Sequence, residues 1–93
     1  MDVRNMDIET RLQNVATVIA QIDDSKVPRN IRKQSKDVTE QWLLNTSKQT
    51  DVRVAMTQAK LEELYEDPNI PPEFGTLILM INTELEKILT ELL

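Results

Sequence analysis

The chain contains no cysteine and no histidine. Those two absences remove thiolate chemistry, disulfides and the usual zinc ligands, together with the commonest general acid–base group. Metal binding would have to rest on carboxylates alone. A single glycine leaves little turn chemistry for β-hairpins and argues against an all-β fold. Three aromatics, Trp42, Tyr65 and Phe74, oblige any core to be aliphatic. No apolar run approaches the roughly 18 residues of a membrane-spanning helix. The opening Met1-Asp2-Val3-Arg4-Asn5 has no apolar run behind a basic start, so no secretory leader is expected. These readings predict a cytoplasmic, soluble protein without a membrane partner.

The periodicity of the apolar residues is helical. The 93 residues suit one domain, residues 1–93. Ile8, Leu12, Val15, Ala16, Ile19 and Ile22 recur at steps of four, three, one, three and three, which is helical spacing, and Asp23-Asp24-Ser25-Lys26 ends the run. Ile31, Ser35, Val38 and Trp42 form a second stripe, broadened by Leu43 and Leu44. The third stripe is broad (Val52, Val54, Ala55, Met56, Ala59, Leu61, Leu64, Tyr65), with Thr50 as the expected N-cap. Phe74, Leu77, Ile78, Ile81, Leu85, Ile88 and Leu92 make the cleanest stripe. The predicted helices run over about 6–23, 28–45, 51–66 and 71–92.

One block occurs twice. Val27-Pro28-Arg29-Asn30-Ile31 and Ile70-Pro71-Pro72-Glu73-Phe74 lie 43 residues apart, each with an aspartate, Asp24 or Asp67, three residues ahead of its apolar–proline pair. Proline at a first helical position loses no hydrogen bond, so both blocks read as helix starts. At the same offset Val18 aligns with Leu61, Ile22 with Tyr65, Ile31 with Phe74, Val38 with Ile81 and Trp42 with Leu85. The expected fold is an all-α four-helix bundle built from two similar helical hairpins. A HEAT-like helix pair is the alternative, since that period matches such arrays, although arrays need three or more units to bury their faces.

Val27-Pro28-Arg29-Asn30-Ile31-Arg32, followed at this distance by Asp67-Pro68-Asn69-Ile70-Pro71, resembles an uncharacterised family of small archaeal all-helical proteins with paired Val-Pro-x-Asn-Ile-Arg and Asp-Pro-Asn-x-Pro blocks. The likeness spans about residues 12 to 90. It implies a compact four-helix domain in an archaeal cytoplasm and implies no activity. Members of that family tend to carry an arginine shortly after the second proline block, where this chain has Gly75, the repeat-mate of Arg32.

Charge supplies one candidate site. The net charge is −5, yet the stretch from Ser25 to Lys36 holds Lys26, Arg29, Arg32, Lys33 and Lys36 and no acid. Arg29, Lys33 and Lys36 share one helical face opposite the Ile31–Val38 stripe. Like charges at i,i+4 and cations in the first helical turns both oppose local stability. One reading is a site for phosphate, nucleic acid or an acidic partner. The other is internal neutralisation by Asp23, Asp24, Glu66 and Asp67, with Lys33–Asp37 and Lys36–Glu40 pairs along the helix. The overall acidity and the lack of an aromatic in the run argue against nucleic acid. The acidic residues Glu62, Glu63, Glu66 and Asp67 read as a solvated helix end, with no metal or cofactor expected. No serine has a histidine to activate it, so no catalytic residue is assigned.

The last helix supplies the second candidate. Leu77-Ile78-Leu79-Met80-Ile81 is apolar around the whole helical circumference, and such a helix is normally buried all round. Leu79, Met80, Leu89 and Leu93 exceed what one small bundle can cover, and form a candidate self-association surface. The leading expectation is a non-enzymatic helical interaction module, with a protein partner or a homodimer. The alternative is an RNA- or phosphate-contacting accessory protein using the basic face of the second helix.

Overall fold

Among the described residues the secondary structure is built on four helices. The computed structural model describes residues 8–93, so the first two residues of the helix expected from residue 6 lie outside the described residues. Helix α1 spans Ile8–Ile19 and tightens into a 3₁₀ turn over Ala20–Ile22. Helix α2 spans Arg29–Val38 and continues without a break into a π-helical segment, Thr39–Leu43. Helix α3 spans Thr50–Tyr65 and α4 spans Pro72–Leu92. Among the described residues there is no strand, and no helix is long and apolar enough to cross a membrane.

The two proline blocks build the same turn through matching hydrogen bonds. Asp24 Oδ1 accepts the Lys26 N–H at 2.8 Å, and Asp67 Oδ1 accepts the Asn69 N–H at 2.8 Å. The Val27 N–H donates to the Asp24 carbonyl and the Ile70 N–H to that of Asp67. Aspartate favours such turns because its side chain can bond its own backbone two residues on. The carbonyls of Pro28 and Pro71 then each accept two helical N–H groups, from Ile31 and Arg32 and from Phe74 and Gly75. Both prolines therefore sit one place earlier than expected. They are N-cap residues with extended backbone, and Pro72 takes the first helical position of α4. Gln49 likewise precedes α3, and Thr50 is helical.

The core is aliphatic apart from Phe74. Leu12, Val15, Ile19 and Ile22 meet Val27, Ile31, Val38, Leu43, Val54, Leu61 and Leu64, with Ile78, Ile81, Leu85 and Ile88 from α4. Helix α4 packs along both α1 and α3, while α2 and its π segment lie against α3. The π segment changes the second stripe. Its Leu44 N–H reaches back five residues to the Thr39 carbonyl at 2.9 Å. The wider turn swings Leu43 fully into the core and leaves Trp42, the expected core residue, half-buried beneath the Lys48 ammonium. In α3 the buried face is Arg53, Val54, Thr57, Leu61 and Leu64, whereas Val52 and Tyr65 are exposed. The aligned pairs Trp42–Leu85 and Ile22–Tyr65 thus differ in burial.

Candidate functional site

The basic face begins at the uncapped start of α2. Helical spacing brings Arg29, Arg32, Lys33 and Lys36 around an open concavity of about 370 Å³, with Asp23 from the end of α1 as its single acidic wall. Lys26, the fifth residue of the run, is exposed and outside that lining. Internal neutralisation is partial and differs from the expected pairs. Lys36 Nζ lies 3.4 Å from Asp23 Oδ2, and Arg32 Nη1 lies 3.9 Å from Asp23 Oδ1. The Lys36–Glu40 pair is replaced by this contact because Asp23 projects between the two cations. Lys33 Nζ donates to Asp37 Oδ2 at 2.8 Å, and that hydrogen bond holds the Lys33 ammonium pKa above its ordinary value. Asp24 and Asp67, also expected as counter-charges, bond backbone N–H groups in their turns. Arg29 has no ion pair among the described residues.

The residues expected on a self-association surface are not gathered at one spot. Leu79 and Met80 are 50% and 65% exposed, and Leu93 is 89% exposed, while Leu89 packs partly against the core. Leu79 borders a long groove between α3 and α4, of about 730 Å³, with Tyr65 and Ile78 and a rim that includes Gln58, Glu62, Glu86 and Lys87. Met80 borders a second groove, between α1 and α4, with Val15, Val18 and Ile81. The two residues follow one another in sequence, so about 100° of helical rotation separates them on a ridge between grooves. Hydrogen bonds tie the ridge to its neighbours: the Gln58 amide donates to Glu86 Oε2 at 3.0 Å, and Arg11 donates to Glu91 at 2.8 Å and to Glu84 at 3.3 Å.

The acidic cluster at the end of α3 splits between surfaces. Glu62 faces the α3–α4 groove, and Glu63 faces a separate pocket beside Trp42 and Lys60. Among the described residues no group of three or more acidic side chains could hold a metal ion.

One polar constellation escaped sequence reasoning. Arg53 is 2% exposed in the middle of the protein. Its Nε and Nη2 donate to the Leu43 carbonyl at 3.2 and 2.9 Å, at the end of the π segment. Its Nη1 and Nη2 donate to the two carboxylate oxygens of Glu9 at 2.8 and 2.9 Å. These hydrogen bonds from Arg53 hold the Glu9 carboxyl below the ordinary carboxylate range, with burial opposing and the guanidinium charge assisting. Arg53 therefore clamps α1, the end of α2 and α3 together. The signal was present: Arg53, Thr57, Leu61 and Leu64 follow at steps of four, four and three. It was masked because Val52 and Val54 flank the arginine and claim the core by hydrophobicity.

Similarity to known proteins agrees with this fold. Residues 1–88 match the family model described as an uncharacterised protein family, UPF0147. A UPF0147 protein of Pyrococcus abyssi is 38% identical over 84 residues, covering 88% of this chain and 96% of the relative. One of Methanothermobacter thermautotrophicus is 38% identical over 85 residues, covering 90% and 81%. The crystal structure of the unknown-function protein MMP1188 superposes with a TM-score of 0.77 at 35% identity, covering 84% of this chain and 89% of that one. With residues 1–88 matched by the family model and archaeal relatives 38% identical over most of its length, this chain belongs to the uncharacterised family UPF0147.

Proposed function

We propose that the protein is a non-enzymatic helical interaction module that pairs with a second copy of itself through the outer ridge of α4. The observation that carries this reading is the ridge itself. Thr76, Leu79, Thr83, Glu86, Thr90 and Leu93 are all exposed and recur at steps of three and four, the spacing of a coiled-coil seam. The Thr76 and Thr83 hydroxyls bond back to the carbonyls of Pro72 and Leu79, four residues earlier. Their polar atoms are satisfied within the helix, which leaves their methyl groups available for contact. Grooves on both flanks suit ridge-into-groove packing of a second helix. The seam runs for about 25 Å at 1.5 Å per residue, long enough for a two-fold helix pair.

The bundle reading fits the same picture. Contacts of α1 with α4, α4 with α3, α3 with α2 and α2 with α1 close a circuit, which favours two hairpins packed on each other over an open array. In that arrangement the ridge of α4 faces outward. Each large apolar side chain withdrawn from water contributes roughly 1.5–3 kcal/mol, and a two-fold contact counts each twice. Association costs several kcal/mol in lost freedom, so a micromolar rather than a tight dimer is expected.

Light scattering after size exclusion tests the reading. The full chain should elute at about twice its 10.8 kDa mass at tens of micromolar. Leu79→Glu, in the seam, should move it toward monomer with the helical circular dichroism kept, and Met80→Glu, on the flank of the ridge, should do so less. A monomer at those concentrations refutes the self-pairing.

A further inference from the structure

We propose that the concavity at the start of α2 is a binding site for a compact, multiply charged phosphoryl anion of about pyrophosphate size. Four cations, Arg29, Arg32, Lys33 and Lys36, line about 370 Å³ of open space, and Asp23 is the single acid among them. That aspartate is shared between Arg32 at 3.9 Å and Lys36 at 3.4 Å, so one carboxylate answers two cations loosely. Arg29 has no ion pair among the described residues. Arg32 Nε is buried and makes no hydrogen bond.

The backbone adds to the same positive field. Pro28 offers no side chain to cap α2, and the first N–H groups of a helix have no partner within it. The positive end of the helix dipole therefore lies beside Arg29 and Arg32, while Lys36 stands further along α2, in its last turn. Empty, the concavity holds four cations against one lining acid, with Lys33 also bonded to Asp37, and two of the cations stand in the first turn, where the dipole opposes them. An anion seated among them offsets the repulsion between the cations and offers acceptors to the guanidinium groups, which bind phosphoryl oxygens in pairs.

The size of the ligand follows from what surrounds the concavity. The protein carries net charge −5, so an extended polyanion leaving the concavity would cross acidic surface. No aromatic side chain lines the concavity to stack a nucleobase. A small anion confined to the four cations avoids both penalties. On binding, Lys36 and Arg32 would exchange Asp23 for the ligand, which makes Asp23 a built-in competitor.

Titration of the full chain with inorganic pyrophosphate at low ionic strength, followed by calorimetry and amide chemical shifts, tests the site. Saturable one-to-one binding is expected, with shifts centred on Arg29–Lys36 and affinity falling as salt rises. Arg29→Gln combined with Lys33→Gln should weaken binding about tenfold or more, given two charge-assisted hydrogen bonds lost. Asp23→Asn should strengthen it, an outcome that a merely structural aspartate would not produce. Absence of saturation at millimolar pyrophosphate overturns the proposal, as does a folded double variant that binds like the parent. If the double variant loses its helical signal, shifts of the parent protein lying away from α2 overturn it equally. A short single-stranded RNA that binds more tightly than pyrophosphate and is not displaced by it would replace the compact anion with a nucleic-acid face. None of these outcomes depends on the oligomeric state.

Discussion

The exposed faces of α2 and α4 occupy equivalent places in the repeat and carry opposite chemistry. Shifted by 43 residues, Lys33 becomes Thr76, Lys36 becomes Leu79 and Asp37 becomes Met80. The turns that launch the two helices share every backbone hydrogen bond described above. The inner faces agree as well, with Ile31 and Phe74 buried and Val38 and Ile81 buried. What differs is the surface each helix turns outward: a cationic hollow in one copy and a threonine–leucine ridge in the other. The repeat is construction. The candidate sites come from residues that depart from it, and exposed positions can diverge because little packing constrains them.

The largest departure from the repeat is the π segment, which has no counterpart in α4. It predicts that Leu43→Ala costs about 2–5 kcal/mol, the usual range for a fully buried leucine. Trp42→Ala should cost distinctly less, although Trp42 is the repeat-mate of the buried Leu85. Chemical denaturation of both variants measures the difference. An equal or larger loss at Trp42 would restore the uninterrupted α-helical register.

The Arg53 clamp is the next test. Arg53→Met removes both donors from the Leu43 carbonyl, and should cost about 1–3 kcal/mol, the range for an orphaned buried acceptor. Glu9 is the more exposed partner, with 59% of its side chain accessible, so Glu9→Gln should cost at most about 1 kcal/mol after solvent screening. The sign with pH follows from the lowered Glu9 pKa. Its contribution is complete above the ordinary carboxylate range and is lost as pH falls through the lowered folded value. Stability curves of Glu9→Gln and the parent should therefore converge in acid and separate near neutral pH.

The matched turns predict matched small effects. Pro28→Ala and Pro71→Ala should each cost about 1 kcal/mol or less, since the main loss is rigidity of the unfolded chain. A several-fold disparity between them would mean that the two turns are not equivalent. The smallest effect concerns Gly75, which is buried in α4 with ordinary helical backbone. A methyl group there would meet the Tyr65 ring at 3.4 Å, a contact that this exposed ring can relieve by a small rotation. Gly75→Ala should therefore raise stability by about 0.5 kcal/mol through helix propensity, measured by thermal unfolding.

Much of the helical layout was legible in the chain because period and punctuation are local properties. Stripes at steps of three and four mark the faces, and an aspartate three residues before an apolar–proline pair marks both turns. The basic run was equally legible, being contiguous in sequence. Three things were not. The π segment follows no local pattern: its extra residue is set by how α2 meets α3, and that alone moved the buried position from Trp42 to Leu43. Arg53 looked like a surface residue because hydrophobicity ranks it last, while its burial depends on Glu9, 44 residues away, and on the carbonyl that the π segment exposes. The placement of Asp23 between Arg32 and Lys36 depends on how the end of α1 returns to α2. Side-chain spacing and backbone preference alone set which segments are helical, roughly where they turn, and the apolar faces of α1 and α4. Tertiary structure alone decided the partners of the charged groups and the register of the second helix, because both depend on contacts between residues far apart in the chain.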